Sequence, residues 1–388
     1  MSTSAPEEPS TKEETSPLLF PSSSLPDPVT LSCLARVPRL DHLALSLVSK
    51  RYRSLVVSPE FYKIRSLLGR TEECLYVCLS TKTYPTSRWF IIRRENTKTT
   101  LENAAAGDLI PIPSFPSQLP ELSSFVALDW GIYVIGGFIN DNRTSHVLFL
   151  DCRTNTWRHA PSMGVARASA AAGVVDGKIY VFGGCEDFDC SNWAEVFDPK
   201  IQTWDTLVPM RDRSEGDNLI RETLVMEEKV YAVSLWDGSF YYSPRDGKWG
   251  RKKNPETQSY YCVIEKLLYS CDKFGNLVWR ESEDSEWKEV KGLKALRLKF
   301  PNSASVRSSV YEKCVSKLSN FGVNIVVSSV RATWGVWWDV WCTEISLERR
   351  EEKGEIWGTI ESEAVTVVDH APSGRVPVEV LCSATVYV

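Results

Sequence analysis

Histidine and methionine are scarce in this 388-residue chain, at four copies each. The histidines, His42, His146, His159 and His370, are widely scattered, so no ligand pair is evident from spacing. No window approaches the roughly 18 apolar residues of a membrane span. The basic start and apolar core of a secretory signal are also missing. There is no excess of positive charge: 45 Lys and Arg against 50 Asp and Glu leave a net charge of -5, which argues against a general nucleic-acid binder. A phosphate-cradling Gly-rich loop, a Gly-x-Ser-x-Gly elbow and a His-Glu-x-x-His helix are all lacking, and with them the usual signs of phosphoryl, acyl and zinc-protease chemistry. The expected location is cytoplasmic or nuclear. There the 11 cysteines, an odd number, are expected to stay reduced.

What is present is 14 Trp, 21 Gly and 21 Pro, with 43% hydrophobic residues. That is enough for a real core, with a lean toward short strands and turns. Charge is unevenly spread. Residues 1–24 hold one Lys and four Glu, and residues 25–70 hold eight Lys and Arg against Asp27, Asp41 and Glu60, a net of +5. The first stretch is polar and Pro-broken and reads as a disordered leader. Residues 25–68 read as short helices: Leu31, Leu34 and Ala35 fall at i, i+3, i+4, and Leu40, Leu43, Ala44 and Leu47 repeat the pattern. Pro38 separates the two runs. Ser58-Pro59-Glu60 reads as N-cap, first helical position and first-turn acid, ahead of a helix packing Phe61, Ile64, Leu67 and Leu68.

From residue 74 onward, short runs rich in Val, Ile, Tyr, Phe and Trp alternate with turn residues, the pattern of an all-β region. Residues 125–163 slide by 47 positions onto 172–210 without a gap, with ten of 39 positions identical. The identities include Gly136/Gly183, Gly137/Gly184 and Trp157/Trp204. One four-stranded sheet per repeat, hence a β-propeller, is the architecture such a period implies. The glycine pair follows a buried Ile-Tyr-Val strand where positive φ or close approach is needed, Asp198-Pro199 reads as a turn, and the tryptophans pack one blade on the next. The marker tryptophans Trp89, Trp157, Trp204, Trp249, Trp287 and Trp357 give about six blades, with Trp89 ending an upstream one. Downstream, Ser234 and Leu235 replace the glycine pair. The segment 363–388 lies after the last marker, free to pair with the first blade and close the ring.

The helical module resembles an F-box. Leu25-Pro26-Asp27-Pro28 leads to Leu31 and Leu34, and then to the block Val48-Ser49-Lys50-Arg51-Tyr52-Arg53-Ser54-Leu55. The glycine pair with its distant Trp resembles kelch repeats. Their order is similar to that of plant F-box/kelch-repeat proteins. The implied fold is a small all-α F-box (25–68) followed by an all-β kelch-type β-propeller (74–388). Pro28 and Pro38 depart from many F-boxes.

The resemblance implies a non-catalytic substrate receptor of an SCF-type (Skp-cullin-F-box) ubiquitin ligase, without cofactor or metal. Its partners would be a Skp-like adaptor, through it a cullin-RING ligase, and an unidentified substrate protein, with no nucleic acid or membrane. Leu25, Pro26, Leu31, Leu34, Leu43, Val48, Lys50 and Tyr52 are the expected adaptor-side or supporting residues, about half of them needed for the module's own core. The expected substrate loops are 138–145, 185–193 and 212–218, with Phe138, Asp141, Arg143, Asp187, Phe188, Arg213 and Glu215. The rival readings are a kelch scaffold that does not drive ubiquitination and a metal-dependent kelch enzyme, the latter disfavoured by the scarce histidine. Cys185 and Cys190 share a loop, and Cys74 and Cys78 share a strand face; all four read as ordinary thiols. Trp334, Val336, Trp338 and Val340 would share one face of a strand, as interblade core.

Overall fold

A computed structural model describes residues 25–81, 87–92, 109–113, 115, 119–187, 191–218, 220–234, 238–252, 259–282, 285–298, 314–333, 337–368 and 378–388. The expected leader 1–24, Phe188, Cys190, Leu235, Trp334, Val336 and His370 lie outside them, as does the side chain of Glu215. The chain divides into two compact units, 1–70 and 71–388.

The first unit has four short helices: α1 (Asp27–Leu34), α2 (His42–Val48), α3 (Lys50–Val56) and α4 (Pro59–Leu67). Ser49 caps α3 by accepting from the Tyr52 amide at 3.0 Å. Ser58 caps α4 by accepting from the Phe61 amide at 3.3 Å, with Pro59 at the first position and Glu60 in the first turn, as its sequence reads. Leu31, Leu34, Ala35, Val56 and Phe61 form the core. Leu67 does not join them and stays 78% exposed. The buried side of α4 is shared by Phe61 and Arg65. The Arg65 guanidinium enters the core because carbonyls line its path: it donates to Ala35, Val37 and Arg70 at 3.0, 2.7 and 2.6 Å.

In chain order, the strands of the second unit begin with β1 (Glu73–Thr81), β2 (Arg88–Ile92) and β3 (Leu109–Ile112). Then come β4 (Ser124–Leu128), β5 (Gly131–Ile135), β6 (Phe138–Ile139), β7 (Asn142–Arg143), β8 (Val147–Asp151) and β9 (Thr156–Ala160). The next repeat comprises β10 (Ala171–Val175), β11 (Lys178–Phe182), β12 (Ala194–Asp198) and β13 (Thr203–Thr206). It is followed by β14 (Ile220–Met226), β15 (Lys229–Ser234), β16 (Ser239–Ser243) and β17 (Lys248–Lys252), and by β18 (Ser259–Ile264), β19 (Leu267–Asp272), β20 (Leu277–Arg280) and β21 (Lys288–Lys291). The last are β22 (Cys314–Phe321), β23 (Asn324–Thr333), β24 (Trp337–Arg350), β25 (Glu355–Val368) and β26 (Val378–Tyr387).

Among the described residues, these strands make a β-propeller-like ring of about six four-stranded antiparallel blades. Four are separate sheets: β26-β1-β2-β3, β4-β5-β8-β9, β10-β11-β12-β13 and β14-β15-β16-β17. The other two, β18 to β21 and β22 to β25, are joined into one eight-stranded sheet where β21 runs parallel to β25. The ring closes between the chain ends: β26 pairs antiparallel with β1 from Glu73↔Tyr387 to Thr81↔Val378. Closure removes the free edge that an open array would expose. Only 378–387 does this. Residues 363–368 belong instead to β25, in the sixth blade.

The 47-residue repeat is the second and third blades. Ile132-Tyr133-Val134 and Ile179-Tyr180-Val181 lie buried in β5 and β11. Gly136 and Gly184 have φ of 60° and 71°, and a Cβ on either would overlap a backbone carbonyl oxygen, of Arg167 and Ala168 respectively. Positive φ and close approach are therefore both required there. Asp198-Pro199 begins the β12–β13 turn, and Lys178 beside Asp198 holds its carboxyl below the usual range. Three of the marker tryptophans also form hydrogen bonds to the preceding blade. Trp157, Trp204 and Trp249 donate their indole N–H to the carbonyls of Pro113, Pro161 and Val208 at 3.0, 2.8 and 2.8 Å. Trp89 is placed differently from expectation. It lies in β2, the third strand of its blade, and β3 follows it, because β26 supplies the innermost strand and shifts the count by one. Trp338 and Val340 pack into one cluster, as do Cys74 and Cys78.

Candidate interaction surfaces

The N-terminal unit presents a face built by α2. This helix has seven residues and buries only His42. Its apolar stripe points outward: Leu43, Leu47 and Val48 are 74, 73 and 68% exposed. Leu25 and Val29 add exposed apolar surface. An apolar stripe normally faces a core, so a helix this short with its stripe in water marks a contact surface.

The Leu-Pro opening and the later basic block are tied together by Arg51. Its guanidinium donates to Asp27 Oδ1 at 2.9 and 2.6 Å, and to the Leu25 carbonyl at 2.5 Å. Thr30 Oγ1 also donates to that carbonyl at 3.2 Å. One side chain thereby anchors the entry to α1 against α3. Of the eight residues expected on this surface, Leu25, Pro26, Leu43, Val48 and Lys50 are exposed. Tyr52 is half-buried against the core, and Leu31 and Leu34 are within it. Val29 and Leu47 belong to the exposed set without having been singled out.

His42 sits beneath this face. Burial, then the Arg65 guanidinium 3.3 Å from Nε2, lower its pKa to about 4. The ring also meets Phe61 edge-on at 5.0 Å.

In the propeller, the β6–β7 hairpin, residues 184–187 and 191–193, and loop 212–218 knit into one surface. Asn140 and Asp141, both at positive φ, form the hairpin's two-residue turn. Arg143 lies over the Phe138 ring at 5.2 Å and donates to the Gly184 carbonyl at 3.1 Å. Asn218 donates to the Cys185 carbonyl at 2.9 Å and accepts from Trp193 Nε1 at 3.1 Å. Arg213 covers the Trp193 ring at 5.5 Å. Asp141 and Asp187 are exposed, while Phe138, Arg143 and Arg213 are half-buried. Both arginines thus shape the loops as well as facing outward.

The innermost strands, β4, β10, β14, β18, β22 and β26, line a central channel of about 950 Å³. Across it, Lys317 on β22 meets Glu222 on β14 at 3.2 Å, passing the inner strand of the blade between. Glu222 holds the Lys317 ammonium above its ordinary range, against the opposing effect of burial. Neither residue was legible as a site: they lie 95 positions apart, in blades where the repeat has decayed. His146 and His159, at the open end of the β8–β9 hairpin, come to 6.5 Å between ring centroids through its register. Among the described residues, no three His, Cys, Asp or Glu side chains cluster to hold a metal, and no helix is long and apolar enough to cross a membrane.

Comparison with known proteins agrees with this division. Residues 22–64 match the family model of the F-box domain, and residues 89–367 match that of the FKB95 kelch-repeats domain. The chain is 37% identical over 374 residues to the Arabidopsis thaliana F-box/kelch-repeat protein At4g39550, covering 88% of this chain and 89% of that one. It is 40% identical over 334 residues to F-box/kelch-repeat protein At4g39580 of the same plant, covering 84% and 85%. An F-box joined to kelch repeats is typical of non-catalytic adaptor proteins. The chain belongs to the F-box/kelch-repeat protein family.

Proposed function

We propose that this chain is the substrate-recognition subunit of an SCF-type ubiquitin ligase, acting in the cytoplasm or nucleus. Its F-box docks a Skp-like adaptor, and through it a cullin-RING core. Its propeller holds the protein to be ubiquitinated. The observation that carries this reading is the outward apolar face of α2, with Leu43, Leu47 and Val48 each more than two-thirds exposed. Burying such side chains contributes about 1.5–3 kcal/mol each before ordering costs. The +5 charge of residues 25–70 steers approach to an acidic adaptor. Leu25, Pro26, Leu43, Val48 and Lys50 make the contact, and Leu31, Leu34 and Tyr52 support it from within.

On the propeller, the target is met by the surface of Phe138, Asp141, Arg143, Asp187, Phe188, Arg213 and Glu215. Catalysis belongs to the ubiquitin-conjugating enzyme, and this chain contributes proximity: a captured target is held at high effective concentration near the charged enzyme.

The test is reconstitution. The full chain is assembled with adaptor, cullin, RING protein and conjugating enzyme, and offered a protein recovered on its propeller. Transfer of ubiquitin to that protein is expected, and its loss in Leu43→Asp/Leu47→Asp with target capture intact. Capture without transfer by the wild type would favour a scaffold instead.

A further inference from the structure

The ring closes through the β1–β26 ladder, and two cysteines face each other in that seam. Cys78 on β1 and Cys382 on β26 are directly opposite in the antiparallel register. They are about 300 positions apart in the chain. Both are free thiols, and both are buried in one core cluster. Directly opposed residues of an antiparallel pair have Cα atoms about 4.5–5.5 Å apart, whichever kind of pair they form. A disulfide spans Cα separations of about 4.4–6.8 Å. The side chains also share a face. Cys74, Tyr76 and Cys78 pack with Cys382 and Val386, while Leu75, Val77 and Leu79 pack with Val378 and Val380 in a different cluster.

Neighbouring cysteines do not share this placement. Cys74 is opposite Val386 and lies about 13 Å along β1 from Cys78, four residues at roughly 3.3 Å each. Cys262 and Cys271 are only diagonal, opposite Tyr269 and Tyr260, at the roughly 7–8 Å where a bridge needs backbone movement. The ladder also breaks beside the facing pair. Cys78↔Cys382 is followed by Leu79↔Val380, so Leu381 is an extra residue. A bulge leaves that residue unpaired and the ladder locally disrupted, which makes this part of the seam a place for local opening. While the seam is shut, burial raises both thiols, Cys382 to about 12 against the opposing pull of the Lys317 ammonium. The thiolate is the attacking species in disulfide exchange. Exchange therefore waits on opening, and reclosure brings the two sulfurs together.

We propose that Cys78 and Cys382 are a reversible redox pair whose disulfide staples the propeller ring when the surrounding thiol pool becomes oxidised. The oxidant is a low-molecular-weight disulfide of the glutathione class. The thiolate of one cysteine attacks it, forming a mixed disulfide and releasing one small thiolate. The thiolate of the second cysteine attacks the protein sulfur of that mixed disulfide, forming the Cys78–Cys382 bond and releasing the other small thiolate. The two protons lost by the cysteines go to the two released thiolates. The cysteines give up two electrons, and the small disulfide is reduced to two thiols. Closure of the ring rests on the ladder in the reduced state and is covalent in the oxidised one. This pair stands or falls independently of the ligase reading.

The full-length chain, reduced and folded, is equilibrated with glutathione buffers of increasing disulfide fraction. Free thiols are then trapped by alkylation, and the peptides are mapped by mass spectrometry. A peptide pair joined through Cys78 and Cys382 is expected, in excess of any pair joining Cys382 to Cys74, and dithiothreitol should remove it. The thermal midpoint of the oxidised wild type should rise by about 5 °C or more, because a loop of roughly 300 residues stays closed in the unfolded chain. Cys78→Ala and Cys382→Ala should each abolish that rise, and the peptide map of the wild type decides the matter if either variant fails to fold. The inference is overturned if folded, fully oxidised wild type yields no Cys78–Cys382 pair, if both cysteines end as mixed disulfides with glutathione, or if the bridge forms with no rise in the midpoint.

Discussion

Arg167 and Glu195 form an ion pair that solvent does not reach: Nη2 and Oε2 are 2.8 Å apart, with side chains 0 and 3% exposed. Arg167 precedes β10, and Glu195 lies on β12 of the same blade. Arg167 Nε also donates to Glu195 Oε2 at 3.3 Å, and the guanidinium donates further to the carbonyls of Gly183, Trp193 and Asn192 and to Cys185 Sγ. Glu195 Oε1 accepts from the Gly164 amide at 2.7 Å. The pair therefore holds the entry to the third blade against the connection after its glycine pair.

Breaking this pair from one side leaves an uncompensated buried charge. Arg167→Met should cost about 3–5 kcal/mol in the unfolding transition of the propeller. Glu195→Gln, which keeps the bond from Gly164, should cost less. Denaturant unfolding of both variants checks this, and a loss below about 1 kcal/mol in Arg167→Met would contradict the assignment.

Two glycines separate backbone conformation from close approach. Gly177 and Gly184 have nearly equal φ, 72° and 71°, yet a Cβ on Gly177 meets nothing within 4 Å while one on Gly184 overlaps the Ala168 carbonyl oxygen. Gly177→Ala should cost about 1–2 kcal/mol, the left-handed penalty alone. Gly184→Ala should cost clearly more or prevent folding of the blade. Equal losses in thermal unfolding would show that the close approach is relaxed at no cost.

His42 makes the F-box acid-sensitive. Its pKa is about 4 in the fold, against about 6.5 in the unfolded chain, so the unfolded state binds its proton first. The stability it contributes is complete above pH 6.5 and is lost as pH falls toward 4, on the order of 3 kcal/mol in total. The unfolding midpoint of the helical unit should fall across that window, and His42→Phe should flatten the slope. A slope unchanged in that variant would contradict the assignment.

Much of the propeller was legible because its physics is local and repeated. Ile179-Tyr180-Val181, the following glycines and Trp204 each carry their own reason, and 47 positions separate them from their counterparts. The F-box motif was legible as a pattern, but its geometry was not. The stripe Leu43, Ala44, Leu47 has helical period whether it faces a core or a partner, and only the fold shows it facing outward. Arg65 and Arg167 were missed because arginine is buried only when carbonyls or carboxylates converge on it, which no single segment reveals. Lys317 and Glu222 were missed for a similar reason: ring closure and blade order bring them together, not spacing.

Docking through α2 is tested most directly by the affinity of the full-length chain for a purified Skp-like adaptor, by calorimetry, beside Leu43→Asp/Leu47→Asp. Both side chains are about three-quarters exposed, so the double variant should unfold as the wild type does. Saturable binding by the wild type is expected, with a loss of about a hundredfold or more in the variant, two apolar anchors at roughly 1.5 kcal/mol each. Binding unchanged in the variant, or no binding by a folded wild-type chain, would contradict adaptor docking through this face.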